Sequence, residues 1–148
     1  MAQSLAKVYI HVVFSTKHGE PFIKESIRKS LHSYIIGTLS KAGSYTEEIF
    51  VNPDHLHALI TLPRTVTLAQ IVSRIKTTSS KWVKQQGIKN FGWQDGYSVF
   101  SVSASKVPVV KNYILNQPNH HKKLSYKDEL RQFFEHYQVE YDERYVWD

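Results

Sequence analysis

The feature that most constrains the fold is the order in which strand-like and helix-like stretches follow one another along the chain. Lys7–Phe14 is rich in β-branched and aromatic residues, a composition typical of a strand. From Ile23 to Leu39 the apolar residues recur at helical spacing, and Gly43 is well placed to end that helix. Two further strands are predicted over 45–52 and 55–62, because a turn-forming Asn-Pro-Asp sequence separates them.

The second half of the chain repeats the alternation. Thr67 can cap a second helix whose apolar positions continue to Trp82, and a fourth strand is predicted near Tyr97–Ser103. This order predicts an α+β fold, a ferredoxin-like antiparallel sheet of the kind found in RNA-recognition modules, with the first two helices on one face. A third helix, roughly Lys106–Gln117, is expected near the other, open face, and a fourth should run from a Ser125 cap to about Tyr137.

The length and composition favour one ordinary globular domain. A chain of 148 residues is long enough to bury a core, so a single domain over 1–148 is expected. The absence of cysteine excludes disulfides and thiolate metal sites. Neither a signal peptide nor an apolar stretch near the length of a membrane span is visible, so we expect a cytoplasmic protein with no membrane partner.

The net charge of +6 is distributed unevenly. Residues 64–123 carry ten Lys and Arg against the single acid Asp95, whereas residues 127–148 carry three Lys and Arg against seven acids. Such asymmetry indicates a polyanionic partner for the middle of the chain, although a solvated basic surface would explain it equally well.

Two short motifs carry functional chemistry. In a strand, His55 and His57 share one face, where two neutral imidazoles can hold a divalent cation. In the third helix, Tyr113 and Gln117 are four residues apart, so a phenol that can attack phosphorus and an amide oxygen that can bind a metal project together. Taken singly, each motif is also explained by polar residues on a wet face or by aromatic packing.

The combination resembles the single-tyrosine HUH transposases of the insertion-sequence 200/605 group and their repeat-associated relatives. The resemblance runs along most of the chain. The residues that carry it are Val12-Val-Phe-Ser-Thr16, Pro53-Asp-His-Leu-His57, Leu62-Pro63, Phe100-Ser-Val-Ser103 and Tyr113-Ile-Leu-Asn-Gln117.

The resemblance implies a DNA transposase that cleaves and rejoins single-stranded DNA. Tyr113 would be the nucleophile, and His55, His57 and Gln117 would hold Mg²⁺ or Mn²⁺. Cleavage would leave a 5′-phosphotyrosine and a free 3′-hydroxyl, so joining needs no nucleotide cofactor, and no Walker-type loop occurs in the sequence. The expected form is a homodimer, in which the tyrosine helix docks on the His pair of its own chain or of the partner.

Several other residues are candidates for secondary roles. The sequence offers basic side chains for the DNA backbone and aromatic rings for unpaired bases. His11 is expected to make a structural hydrogen bond, Asp54 to shape the turn or contact a ligand, and His121 is the alternative ligand should Gln117 not bind the metal. Two alternatives stay open: a domesticated, non-catalytic protein that binds hairpin DNA or RNA, and a metallohydrolase that uses water and leaves the tyrosine idle. The candidate DNA-binding residues are Arg74, Lys81, Lys84, Lys106 and Lys111, and the candidate stacking residues are Trp82, Phe91, Trp93 and Tyr97.

Overall fold

The computed structural model describes residues 2–148 and has the α+β architecture that the sequence predicts. Its four strands form one antiparallel sheet in the order β2-β3-β1-β4, which is the ferredoxin-like arrangement. The elements are β1 Tyr9–Ser15, α1 Glu25–Lys41, β2 Thr46–Val51, β3 His55–Thr61, α2 Leu68–Gln85, β4 Ser98–Val102, α3 Val107–Leu115, α4 Gln117–His120 and α5 Tyr126–His136.

The helices α1 and α2 cover one face of the sheet, which we call the first face. Leu31, Ile35 and Leu39 lie four residues apart on α1, so they share the side that meets the strands. Alternate residues of the central strands complete this core. These strand residues are Ile10, Val12 and Phe14 from β1, and Leu56, Ala58 and Ile60 from β3.

The tyrosine-bearing helix α3 lies against the second face, as expected, but this face is not open. Ile114 of α3 packs on Leu59 there, and Leu130 of α5 packs on Val13. The central strands are buried on both sides, since all but one residue of each are buried. Because α3 and α5 each carry an apolar stripe that must be removed from water, they cover the face that would otherwise stay exposed.

The third helix is shorter than predicted. It ends at Leu115, and Gln117 instead begins the short helix α4. Pro118 explains the break, because it has no N–H to bond to the carbonyl of Ile114. The predicted cap of α5 is confirmed, since the Ser125 side chain accepts a hydrogen bond from the backbone N–H of Asp128. Within residues 2–148, no helix is both long and apolar enough to cross a membrane.

Candidate active site

The two histidines of β3 point to the second face, as their alternation predicts. Leu56, between them, enters the core beneath α1 and α2. His55 and His57 are almost completely buried, with 1% and 0% of their surfaces exposed. They therefore lie not on a wet surface but between the sheet and the helices α3 to α5.

Four side chains converge at this point and could hold a metal ion: His55, His57, His121 and Glu129. One ligand atom from each lies within 4.8 Å of the other three. The Nε2 atom of His57 is 2.8 Å from Glu129 Oε1, and the Nε2 atoms of His55 and His121 are 3.0 Å apart. Imidazole nitrogens with a carboxylate oxygen are common ligands of divalent transition metals.

In His55 and His121, a hydrogen bond holds the ring nitrogen that faces away from the cluster, Nδ1, so the other nitrogen, Nε2, faces the cluster. Nδ1 of His55 lies 2.7 Å from Asp54 Oδ1, and Nδ1 of His121 lies 2.8 Å from the carbonyl of Leu124. Both partners are acceptors, so each Nδ1 carries a proton and Nε2 is the nitrogen left to face the cluster. A divalent metal fits this donor set, because each Nε2 offers it a lone pair once that nitrogen is unprotonated.

Gln117 is fully buried, and its amide oxygen points into the same cluster. Oε1 is 2.9 Å from Nε2 of His121 and accepts a hydrogen bond from Asn52 at 3.0 Å. Its amide nitrogen donates to Oε2 of Glu129 at 3.1 Å. Gln117 therefore lies at the cluster, and its role as a metal ligand stays a prediction.

Tyr113 reaches the cluster through its hydroxyl, which donates a hydrogen bond to Oε2 of Glu129. Its ring stacks on His120, with 4.5 Å between ring centroids. Burial, and then the negative charge of Glu129, raise the pKa of the Tyr113 hydroxyl. The phenol is therefore protonated in this arrangement. Tyr113, Gln117 and the two β3 histidines come together within one chain.

The charge of the cluster is set by Glu129. Burial alone would raise the pKa of this carboxyl, but the surrounding imidazoles, His57 foremost, outweigh it and hold the pKa well below its usual range. Burial lowers the pKa of His57. For His55 the effect of burial is outweighed by hydrogen bonds to Asp54 and Glu129, so its pKa is raised. These shifts favour a negatively charged Glu129 carboxylate among the imidazoles.

The five candidate DNA-binding residues lie on two different sides of the molecule. Arg74, Lys81 and Lys84 belong to α2, which packs on the first face, so the fold does not bring them beside the tyrosine. Lys106 and Lys111 lie at α3, on the side of the site. The Nζ atom of Lys111 is 3.8 Å from a carboxylate oxygen of Glu47 in β2.

The aromatic candidates are mostly structural. Phe91 and Trp93 are buried in the first-face core, with the Trp93 indole N–H donating to Ser79, so neither of these candidate rings is exposed to stack on a base. Trp82 is half-buried against the same core, as its place in the apolar stripe predicts. Tyr97 is 41% exposed and keeps a ring available to solvent.

Sequence reasoning missed Glu129, which is 1% exposed and contacts every other member of the site. A signal was nevertheless present. On α5 the residue falls within the apolar stripe formed with Tyr126, Leu130 and Phe133, at spacings of three and four. An acid in such a stripe must be buried and therefore paired. Asn52 and Tyr126, whose ring lies 4.6 Å from that of His55, were missed as well.

Comparison with known proteins places this geometry in a family context. Residues 4–117 match the family model of IS200-like transposases. A candidate transposase from Deinococcus radiodurans R1 superposes with a TM-score of 0.61 at 20% identity, over 79% of this chain and 98% of that chain. A REP-associated tyrosine transposase bound to a REP hairpin superposes with a TM-score of 0.58 at 18% identity, over 82% of this chain and 74% of that chain. No curated protein sequence matches the chain.

Proposed function

This chain belongs to the family of IS200-like transposases, and from that premise we propose that it is a metal-dependent, single-strand-specific DNA endonuclease and strand transferase with Tyr113 as its nucleophile. One observation carries the proposal. The tyrosine hydroxyl and the convergent imidazoles contact the same carboxylate, Glu129, within a single buried cluster. A protein that only binds nucleic acid has no need of this arrangement.

The proposed metal ligands are His55, His57 and Gln117, to which His121 and Glu129 can be added. The ion is Mg²⁺ or Mn²⁺, and Mn²⁺ should bind more tightly because imidazole nitrogens suit it better than they suit Mg²⁺. When bound, the ion polarises a non-bridging phosphate oxygen and offsets the charge of the transition state.

The chemistry of the chain itself centres on the phenol. The Tyr113 oxygen gives up its proton and forms a bond to phosphorus, while the bond from phosphorus to the 3′ oxygen breaks and that oxygen takes up a proton, which leaves a 5′-phosphotyrosine and a free 3′-hydroxyl. Because the pKa of Glu129 is held low, its carboxylate stays charged and orients the phenol by accepting its hydrogen bond. A second 3′-hydroxyl can attack the phosphotyrosine, so rejoining needs no nucleotide cofactor.

The proposed substrate is single-stranded DNA with a hairpin, which is supported by the basic middle of the chain and by the hairpin bound to the REP-associated neighbour. Acting on DNA, the protein is expected to work in the cytoplasm. We also propose a homodimer, because excision of a segment requires two cuts and each chain carries one tyrosine in the matching motif.

Denaturing gel electrophoresis tests the proposal. The unsubstituted chain, incubated with hairpin-bearing single strands and Mn²⁺, should yield a covalent protein–DNA adduct, and Tyr113→Phe should yield none while still binding DNA. Cleavage products without an adduct would indicate a water-using metallohydrolase. Neither product nor adduct, with hairpin binding retained, would indicate a non-catalytic relative. An adduct formed by Tyr113→Phe would show that another residue is the nucleophile.

A further inference from the structure

A third histidine of the second face, His11, has no role in the chemistry described so far. It lies in β1, diagonally across the sheet from His57, and is 1% exposed. Its Nε2 atom is 2.8 Å from Nδ1 of His57. The His11 ring is surrounded by three aromatic rings at centroid distances of 5.3 to 6.4 Å, those of Phe100, Tyr113 and Phe133.

The proton positions of this histidine pair follow from its neighbours. His57 Nε2 lies 2.8 Å from a carboxylate oxygen of Glu129, which can only accept, so this nitrogen carries a proton in the metal-free site. Only one proton can lie between Nε2 of His11 and Nδ1 of His57, because the two nitrogens are 2.8 Å apart. A neutral His57 with a proton on Nε2 has a bare Nδ1, which must accept a hydrogen bond from Nε2–H of His11.

Metal binding requires the opposite arrangement. A metal ligand must offer a lone pair, so His57 Nε2 has to lose its proton. A neutral His57 then carries its proton on Nδ1 and donates to Nε2 of His11, which must be bare. His11 in turn carries its own proton on Nδ1. The two rings hold two N–H protons before the change and two after it, so their total charge is unchanged.

We propose that His11 is a positioning residue that lets His57 exchange one tautomer for the other when the metal binds. This inference rests on the proposed metal site. A group at position 11 has to accept in one state and donate in the other. A carboxylate could only accept and an ammonium could only donate, whereas an imidazole does either without a change of charge.

Two substitutions separate this role from simple packing. His11→Phe keeps an aromatic ring among aromatic neighbours but leaves Nδ1 of His57 without a partner. His11→Gln retains a group that can donate or accept, because its amide can rotate. Mn²⁺ affinity, measured from the paramagnetic resonance of the free ion, should fall about 10- to 100-fold for His11→Phe and much less for His11→Gln. Thermal unfolding in chelator shows whether each variant is folded.

Long-range proton–nitrogen correlation spectra of the unsubstituted chain supply a second readout that needs no variant. The His57 proton should lie on Nε2 without metal and on Nδ1 in saturating Mg²⁺. Native Mn²⁺ affinity in a folded His11→Phe chain, or a His57 proton that stays on Nε2 with Mg²⁺ bound, would overturn this inference and leave the metal site standing. If the unsubstituted chain binds neither ion, the proposed metal site fails as well.

Discussion

At the scale of single residues, Glu129 connects the tyrosine to the histidines. One carboxylate oxygen meets His57 and the other meets both Tyr113 and Gln117. A buried carboxylate needs partners for both oxygens, and here those partners are the groups to which the chemistry is assigned. The proposed nucleophile and the proposed metal ligands are thereby held in one hydrogen-bonded unit.

Replacing this carboxylate should weaken metal binding. Glu129→Gln keeps the shape of the side chain but removes its negative charge, so Mn²⁺ affinity should fall tenfold or more, about 1.4 kcal/mol or more. Glu135→Gln, an exposed position on the same helix, is the matched control and should bind Mn²⁺ normally. Titration calorimetry measures both, and equal affinities would remove Glu129 from the ligand set.

Loss of the metal should stop cleavage. Chelator should abolish formation of the DNA adduct, and added Mg²⁺ or Mn²⁺ should restore it. His57→Ala removes one of the two imidazoles of β3, so it should reproduce the effect of chelator even when metal is present. Undiminished cleavage by this variant in Mg²⁺ would contradict the assignment of His57 as a ligand.

At the scale of elements, two side chains of α1 form hydrogen bonds with the last residue of the edge strand β2, next to the turn that supports the site. The Arg28 side chain donates to the carbonyl of Val51 at 2.8 Å, and Nε2 of His32 accepts from the N–H of Val51 at 3.0 Å. The two side chains lie four residues apart and so share a helix face. Asn52, which bonds both His55 and Gln117, follows directly in the chain.

This contact predicts a pH dependence of stability. Burial, and then the nearby Arg28, lower the pKa of His32 to about 4, so the folded chain keeps this imidazole neutral. Below about pH 6.5 the unfolded chain binds a proton that the folded chain does not, and stability is lost as the pH falls toward 4. His32→Gln should lose less stability over this range in urea unfolding. Parallel curves for the two chains would refute this account of His32.

At the scale of the whole molecule, the sheet separates two basic surfaces. Arg74, Lys81 and Lys84 lie on α2 over the first face, whereas Lys106 caps α3 and Lys111 lies on it, over the second face. Lys76 contributes to neither basic surface, because its ammonium donates hydrogen bonds to the backbone carbonyls of residues 94 to 96. If DNA binds at the site as proposed, we expect the strand to meet α3 first and to reach α2 only by passing around the sheet.

Salt dependence should distinguish the two surfaces. The slope of log affinity against log salt should decrease by about 0.7 for each phosphate contact that is lost on a single strand. For a strand just long enough to span the tyrosine, Lys106→Gln or Lys111→Gln should lower the slope and Arg74→Gln should not. For a longer substrate with a hairpin, Arg74→Gln should lower it too. Equal effects of all three on the short strand would contradict the separation.

The chain assembles the whole candidate site by itself, so the tyrosine is expected to act in cis even within a dimer. Tyr113 from α3 and Glu129 from α5 meet His57 of the same chain. A mixture of the inactive variants His57→Ala and Tyr113→Phe, under conditions that exchange subunits, should therefore form no adduct. Recovery of an adduct on the His57→Ala chain would establish docking in trans. Sedimentation that finds only monomer in the DNA-bound, active state would refute the dimer.

Much of the fold, and the relative positions of several site residues, could be predicted from local patterns in the sequence. The order of strand and helix periodicities determined the fold, because each period records which side of an element must be buried. The same alternation placed His55 and His57 together on the second face, and spacing brought Tyr113 and Gln117 to it. These are relations within an element or between elements of a known arrangement, and they need no knowledge of distant contacts.

Tertiary structure alone decided what covers the second face. The apolar stripe of α5 shows that this helix is buried, but nothing local shows that it packs over β1 or that Glu129 thereby reaches His57 in the neighbouring strand β3, 72 residues earlier in the chain. The link between His11 and His57, 46 residues apart, is likewise a product of strand pairing. Periodicity shows which side of an element is buried, but not which other element packs against it. That is decided by how the helices pack on the sheet.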